Sequence, residues 1–144
     1  MGRYHLLRRL VVSMKLSVVV MALFVSTAHA SDLTFIADAT NSGNGEKYKA
    51  YIDLSTKHLE GAYETVRLVS VYEKPISAAG YAGVKSMVNT FQIDCLRNVK
   101  RVTYIGFLNS EGKVIVDEKY PDAPDEAFGE GTVDRKIQPY LCAH

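Results

Sequence analysis

Apolar and polar residues alternate with a period of two along most of the chain after residue 30. In residues 47–54 (KYKAYIDL), every second residue from Tyr48 onward is apolar or aromatic. Residues 65–73 and 84–96 follow the same alternation over most of their length, and residues 99–108 form the partner strand. Successive side chains of a strand point to opposite faces of a sheet, so the pattern predicts half-buried β-strands. Consecutive strands without intervening helices predict an antiparallel sheet rather than a parallel α/β fold.

The predicted strands cover residues 33–38, 47–54, 65–73, 84–96, 99–108 and 113–119. Residues 55–64 and 76–83 are predicted to be loops, and Pro75 is predicted to end the third strand because proline cannot donate to a ladder. Thr132 is predicted to cap a short helix, which Pro139 limits in length. The predicted fold is mainly β (α+β): an antiparallel meander of about six strands followed by a short C-terminal helix.

The first 30 residues have the three parts of a secretory signal peptide. Four basic residues precede an uncharged, mostly apolar run at residues 16–26, and Ala28-His29-Ala30 is an A-x-A cleavage motif. The predicted cleavage falls between Ala30 and Ser31. The uncharged stretch is shorter than the roughly 18 residues of a spanning helix, so no stable membrane span is predicted. Met14 offers a second start, since residues 14–30 also read as a short signal.

Residues 31–144 are predicted to form a single domain, because their number suits one domain. Four of the 17 Lys and Arg residues lie in the predicted signal peptide, which leaves 13 against 16 Asp and Glu residues. The predicted mature chain is therefore mildly acidic. Nucleic acid is excluded as an expected partner, because phosphate contacts need a basic face.

The predicted mature chain has two cysteines, Cys95 and Cys142. An exported protein meets oxidising conditions, in which paired cysteines form disulfides. Closing a loop of about 47 residues stabilises by roughly 4 kcal/mol in the chain-entropy model. Two alternatives stay open at this point: a free or intermolecular thiol, and a metal site. His58 and His144 form no ligand motif with the cysteines, and no metal or cofactor is predicted.

Two segments carry residue types found in catalytic or metal sites. Residues 53–58 (DLSTKH) contain an Asp, a Ser and a His. Such a short stretch rarely orients a nucleophile, a base and a carboxylate together, and the nucleophile-elbow motif is absent, so no catalytic residue is predicted. Residues 117–130 are acidic but lack the calcium-loop spacing, which predicts a solvated loop.

Candidate binding residues come from a cluster of positive charge and from the tyrosines. Arg97, Lys100 and Arg101 lie around a predicted hairpin turn, where they would bind a polyanion or an acidic partner or, alternatively, protect a sheet edge from pairing. Tyrosine is enriched at binding surfaces. Strand alternation places Tyr51 and Tyr104 on the surface, and these five residues form the candidate binding surface.

Several segments, in their order and spacing, resemble the surface-adhesin E family of small exported Gram-negative bacterial proteins. They are YIDLS (residues 51–55), VRLVSVYEKP (66–75), KSMVNTFQIDC (85–95), RNVKRVTYIGF (97–107) and the Gly131-Thr132 pair before the last cysteine. The resemblance implies an antiparallel sheet whose C-terminal helix is tethered by a disulfide, with Cys95 and Cys142 at the positions of the family's two cysteines. Phe128 stands where the family usually has a tryptophan.

The expected function is that of an envelope or cell-surface binding module without catalytic activity. For the few characterised members, the resemblance implies adhesion to host proteins, so the expected partner is an extracellular-matrix or plasma protein. The expected location is the periplasm or the outer-membrane surface, and a dimer is compatible with the sequence. A small periplasmic hydrolase and a purely structural envelope protein are the alternative functions.

Overall fold

The computed structural model describes residues 33–143. The predicted signal peptide and the predicted cleavage between Ala30 and Ser31 lie outside the described residues. Seven strands and one helix occur within them: β1 Leu33–Thr40, β2 Lys47–Glu60, β3 Tyr63–Ala78, β4 Tyr81–Asp94, β5 Val99–Leu108, β6 Val114–Lys119, β7 Glu126–Ala127 and α1 Val133–Cys142.

The strands form one antiparallel sheet in which β1 to β6 are neighbours in chain order. The short strand β7 pairs with the start of β5, beside Val99 and Lys100. The predicted fold class, a meander of about six strands with a C-terminal helix, is confirmed. β1 and β6 are the outer strands of the meander, so β5 is an interior strand.

The prediction of a loop at residues 55–64 is wrong. β2 continues to Glu60, and β3 begins at Tyr63 after a two-residue turn in which Gly61 has a positive φ of 61°. The register shifts between Asp53 and His58. At this bulge the Thr56 hydroxyl donates to the Asp53 carbonyl at 2.7 Å and accepts from the Arg67 N–H at 2.8 Å. The Thr56 hydroxyl thus accepts the hydrogen bond that a backbone carbonyl would accept in a regular ladder. The pairing of β2 with β3 resumes at His58.

The predicted end of a strand at Pro75 and the predicted loop at residues 76–83 are also wrong. β3 runs through Pro75 to Ala78, and the register shifts between Val71 and Ile76. A proline is tolerated at such an irregularity because its missing N–H is not needed there. Ala79 and Gly80 have φ values of 48° and 83°, and this pair makes the two-residue turn into β4.

Helix α1 begins after Thr132, as predicted, but it is longer than predicted. The Thr132 hydroxyl accepts from the Arg135 N–H at 3.4 Å, which identifies Thr132 as the N-cap. Pro139 does not end the helix, which continues to Cys142. Ile137 and Leu141, one before and one after the proline, are both buried. Their packing on the sheet supports the last turn despite the hydrogen bond that proline cannot donate.

The larger of two buried apolar clusters lies between α1 and one face of the sheet. Its buried members are Ile52, Val66, Leu68, Phe91, Ile93, Phe128, Ile137 and Leu141. A disulfide joins Cys95, just after β4, to Cys142 at the end of α1, with the two Cα atoms 5.6 Å apart. The bond holds the helix over the Phe91 and Ile93 face of β4.

Candidate functional site

Because α1 packs on one face of the sheet, the opposite face carries no helix among residues 33–143; we call it the open face. Strand alternation decides which side chains it presents. Tyr51 points away from the helix because its neighbours Ala50 and Ile52 are core residues. Cross-strand partners share a face, so the register carries this assignment from strand to strand across the sheet.

An apolar row crosses the open face perpendicular to five strands. Successive cross-strand partners from β1 to β5 make up the row, and its members are Phe35, Tyr51, Val69, Val88 and Gly106. Phe35 is 48% exposed, and its ring meets that of Tyr51 edge-on at a centroid distance of 5.8 Å. The three side chains from Tyr51 to Val88 are half-buried. Apolar contact area is therefore available to a partner along this row.

Tyr104 completes the row at its β5 end. A Cβ at Gly106 would lie 2.7 Å from the Tyr104 hydroxyl oxygen and 3.2 Å from two atoms of its ring. The tyrosine side chain therefore leans along β5 and covers the glycine. Only a residue without a side chain leaves this space, so Gly106 fixes where Tyr104 lies.

A depression of about 370 Å³ lies on the open face beside Tyr104. Its lining residues come from β2, β4, β5 and the end of β6, and they are Glu60, Thr90, Gln92, Arg101, Thr103, Tyr104, Lys119 and Pro121. The lining side chains supply hydroxyls, one amide, one carboxylate and two basic groups. The apolar row and this depression meet at Tyr104, and together they form the candidate site.

A buried glutamine fixes the arginine of the depression. Gln92 is only 1% exposed, and its amide nitrogen donates to Thr65 Oγ1 and Glu60 Oε2, both at 3.0 Å. Its amide oxygen accepts from Arg101 Nε at 2.7 Å. The Arg101 guanidinium also stacks on the Tyr63 ring, 3.9 Å from the ring centroid. Arg101 is thus held on two sides before any ligand arrives.

Arg97 lies in the β4–β5 turn and is bonded within the molecule. Its guanidinium donates to Asp94 at 2.6 Å, to Asp125 at 2.7 Å and to the Tyr63 hydroxyl at 2.8 Å. These bonds, that to Asp94 first, raise the pKa of Arg97 above its usual value. The Arg97 backbone N–H and then its side chain lower the pKa of Asp94. A hydrogen bond from Tyr63, followed by one from Arg97, lowers the pKa of Asp125.

Lys100 lies on the helix side of β5. Its ammonium group is 2.7 Å from Asp134 of α1 and 3.3 Å from Glu126 of β7. Burial opposes the charged form of Lys100, but the hydrogen bonds to Asp134 and Glu126 outweigh it and raise the pKa of the amine. The lysine therefore links the helix and the C-terminal loop to the sheet. Residues 117–130 were predicted to be a solvated loop, but Glu126 in this segment contacts Lys100 of the sheet.

The structure separates the three basic residues of the predicted binding surface. Tyr51, Tyr104 and Arg101 lie on the open face, whereas Lys100 faces the helix and Arg97 lies in the turn. The alternative reason for these charges, protection of a sheet edge, is wrong because β5 is an interior strand. The sequence analysis did not identify the other residues of the site or the buried position of Gln92. The residues that it missed are Phe35, Val69, Val88, Gly106 and Lys119. Alternation predicts the face of the sheet on which each side chain lies, but the sequence carries no signal for the register that aligns neighbouring strands.

The Asp, Ser and His residues at positions 53–58 do not form a catalytic triad. The Ser55 hydroxyl donates to Asp53 at 2.5 Å, and this bond belongs to the bulge of β2. The imidazole of His58 contacts the Thr56 carbonyl through Nδ1 at 2.8 Å and lies 3.7 Å from Glu60 through Nε2. His58 therefore does not contact the serine.

Two further features of residues 33–143 bear on function. These residues contain no cluster of three His, Cys, Asp or Glu side chains that suits a metal ion. Between Leu33 and Ala143, no helix combines the length and the apolar character that crossing a bilayer requires.

The fold and the open face define a small antiparallel sheet domain with one face under a disulfide-tethered helix and the other available for contact. The family model of the surface-adhesin protein E matches residues 39–143, and the chain belongs to that family. Comparison with curated proteins found no match, and comparison with solved structures found none either. Family membership supports an adhesin-like role at the cell surface.

Proposed function

We propose that residues 31–144 form an exported cell-surface module that binds a host extracellular-matrix or plasma protein through the open face and has no catalytic activity. The observation that carries the proposal is the apolar row beside the depression at Tyr104, on the sheet face that carries no helix within residues 33–143. Exposed, contiguous apolar groups with a polar rim are typical of protein-binding surfaces. Membership of the surface-adhesin protein E family supports the same role.

Export is proposed from the sequence of residues 1–30, with cleavage between Ala30 and Ser31. The Cys95–Cys142 disulfide is consistent with it, because structural disulfides persist outside the cytoplasm. Within the envelope, a binding role favours the outer surface over the periplasm, because a host protein has access only to the outside of the cell.

A comparison of two double variants tests this function. Tyr51→Ala with Tyr104→Ala removes two aromatic groups from the open face. Tyr81→Ala with Tyr140→Ala is the matched control, since these tyrosines are about 40% exposed and lie off the open face. Each purified protein is measured against immobilised matrix and plasma proteins by surface plasmon resonance.

The open-face variant is expected to bind at least tenfold more weakly than wild type, while the control variant binds normally and both retain the wild-type circular dichroism spectrum. Loss of binding in the control alone would place the contact on the helix side. Absence of binding by the wild-type protein to every matrix and plasma protein would contradict the proposed partner class.

A further inference from the structure

We propose that the Arg101 depression binds a carboxylate, namely an Asp or Glu side chain in an extended segment of the partner protein. This inference rests on the proposed function and adds the chemistry of the segment that is recognised. It depends on how Arg101 is held, on the groups around it and on the position of the apolar row.

Arg101 is pre-organised for a bidentate ligand. Gln92 occupies its Nε, and the Tyr63 ring lies under its guanidinium plane. The bond to Gln92 uses only Nε, so both terminal nitrogens can bind a ligand. Within residues 33–143, Arg101 belongs to no ion pair. The two terminal N–H groups of a guanidinium match the two oxygens of a carboxylate, and binding costs less conformational entropy when the guanidinium is already fixed.

Stability alone does not call for this arrangement. Gln92 is buried on a sheet face, where an apolar side chain would avoid the cost of satisfying a buried amide. Instead, the Gln92 amide forms hydrogen bonds with Thr65, Glu60 and Arg101 and so connects these three side chains. Polar groups that orient a charged side chain at the surface are expected where that side chain has a ligand.

The groups around Arg101 suit an anion of limited size. Lys119 lines the same depression and forms no ion pair within the described part of the chain. Thr90 and Thr103 add hydroxyl donors, whereas the Tyr104 hydroxyl lies over Gly106. One carboxylate, that of Glu60, also lines the depression, and its Oε2 is occupied by the Gln92 amide. Two basic groups against one acid leave a net attraction for a single negative charge.

The apolar row distinguishes a protein segment from a sulfated polysaccharide. A polysaccharide would need a larger basic surface, whereas Arg97 and Lys100 are used in ion pairs within the molecule. The row from Phe35 to Gly106 spans four strand spacings, roughly 19 Å at about 4.8 Å each. About six extended residues cover that distance. An acidic residue near Tyr104, followed by apolar residues toward Phe35, fits both parts of the site.

A pair of short peptides tests the carboxylate directly. The probes are acetyl-Glu-Val-Val-Tyr-amide and its counterpart with Gln in place of Glu, which has the same shape without the charge. Each is titrated into 15N-labelled residues 31–144 and followed by backbone amide shifts. The Glu peptide is expected to shift the amides of Thr90, Gln92, Arg101 and Tyr104, and to bind about tenfold more tightly than the Gln peptide.

Three variants locate the interaction. Arg101→Lys keeps the charge but loses the fork, and it should reduce binding of the Glu peptide about tenfold. Lys119→Gln should reduce it about threefold, since a lysine contributes a point charge. Lys136→Gln is the matched control, because Lys136 is an exposed lysine of α1, on the other side of the sheet from the depression. It should bind like wild type.

The same titration with a heparin oligosaccharide separates the two kinds of partner. Equal binding of the Glu and Gln peptides, or unchanged binding by Arg101→Lys, would overturn the carboxylate site. Binding of heparin through Arg101 in preference to the Glu peptide would overturn it in favour of a polysaccharide site. Failure of the proposed function has another signature: the Glu peptide binds through Arg101, while no matrix or plasma protein binds.

Discussion

At the scale of single residues, Gly106 determines the position of Tyr104. We expect Gly106→Ala to displace the Tyr104 ring, because the new Cβ would lie 2.7 Å from its hydroxyl oxygen. The nearest atoms belong to a side chain that can rotate, so the fold should remain, with a stability loss below about 1 kcal/mol. Nuclear Overhauser contacts between the Tyr104 ring and residue 106 should disappear.

Partner binding supplies the second measurement for this substitution. Gly106→Ala should weaken binding in the same direction as Tyr104→Ala, because both remove the ring from the end of the apolar row. Unchanged ring contacts together with unchanged affinity would contradict the role given to Gly106. A lost circular dichroism spectrum would instead show that the strand itself does not accept a Cβ here.

At the scale of elements, the β4–β5 turn makes stability depend on pH. The folded pKa values of Asp94 and Asp125 lie below the usual value of about 3.9. Each carboxylate therefore contributes stability above the unfolded pKa, and the contribution is lost as the pH falls through the folded pKa. We expect the urea midpoint of the wild-type protein to decline as the pH falls from 5 to about 2.

Asp94→Asn isolates the contribution of the turn. The variant should be less stable than wild type at pH 6, because Arg97 loses its closest ionic partner. The difference between the two urea midpoints should shrink as the pH falls from the unfolded pKa of about 3.9 toward the lowered folded pKa of Asp94, because the unfolded state binds the proton first. Glu111→Gln, in the exposed β5–β6 turn, is the control and should differ little from wild type at either pH. A constant difference for Asp94→Asn would contradict the prediction.

The disulfide is the covalent link between α1 and the sheet. Replacing both Cys95 and Cys142 with serine should lower the free energy of unfolding by about 2–5 kcal/mol, the usual cost in a small secreted domain. Thiol titration of the exported wild-type protein under denaturing, non-reducing conditions should find no free thiol. Reduction of the wild type serves as the control and should reproduce the loss. Two titratable thiols, or an unchanged melting temperature in the variant, would rule out this role.

The elements also show how far the sequence predicts the fold. Strand β5 has the predicted bounds because Val99–Leu108 is rich in β-branched and aromatic residues and is preceded by Asn98, whose positive φ of 54° makes the turn. Residues 55–64 were predicted as a loop because a bulge interrupts the alternation while the ladder continues. The end of α1 was missed because burial of Leu141 and the disulfide outweigh the propensity of Pro139. Local propensity yields to tertiary contacts at each of these places.

The candidate site was only partly predictable for a related reason. Alternation alone assigns Tyr51 and Tyr104 to the face opposite Cys95. The bond between Gln92 and Arg101 depends on the β4–β5 register, which shifts between Thr90 and Phe91. A shift of one residue reverses every face beyond it, and nothing in the two strand sequences marks this bulge. The partners of Arg101 therefore became visible only in the structure.

At the scale of the whole molecule, one face of the sheet provides stability and the other provides the candidate binding site. The helix face holds the buried apolar cluster, the disulfide and the paired Lys100. The open face bears the apolar row and the depression at Arg101. Because stability is concentrated on one face, side chains on the other are free to vary with the partner. Substitutions on the open face should therefore alter binding more than folding.

The mature chain is predicted to begin at Ser31, and this cleavage decides whether the domain is released from the inner membrane. Strand β1 begins at Leu33, so cleavage after Ala30 would place a short polar end beside the outer strand. The intact mass of the exported protein should correspond to residues 31–144. Ala30→Leu should block cleavage, because signal peptidase requires a small residue there. The uncleaved variant should stay with the inner membrane through residues 16–26.

Protease added to intact cells then distinguishes the surface from the periplasm. Cleaved wild-type protein should be lost from whole cells, while the Ala30→Leu variant should be protected and serve as the internal control. A periplasmic binding domain would be protected in both cases, which would contradict surface exposure but not export. A wild-type product that keeps residues 1–30 in the inner membrane would contradict export itself, because the apolar run would then act as an anchor rather than as a removable signal.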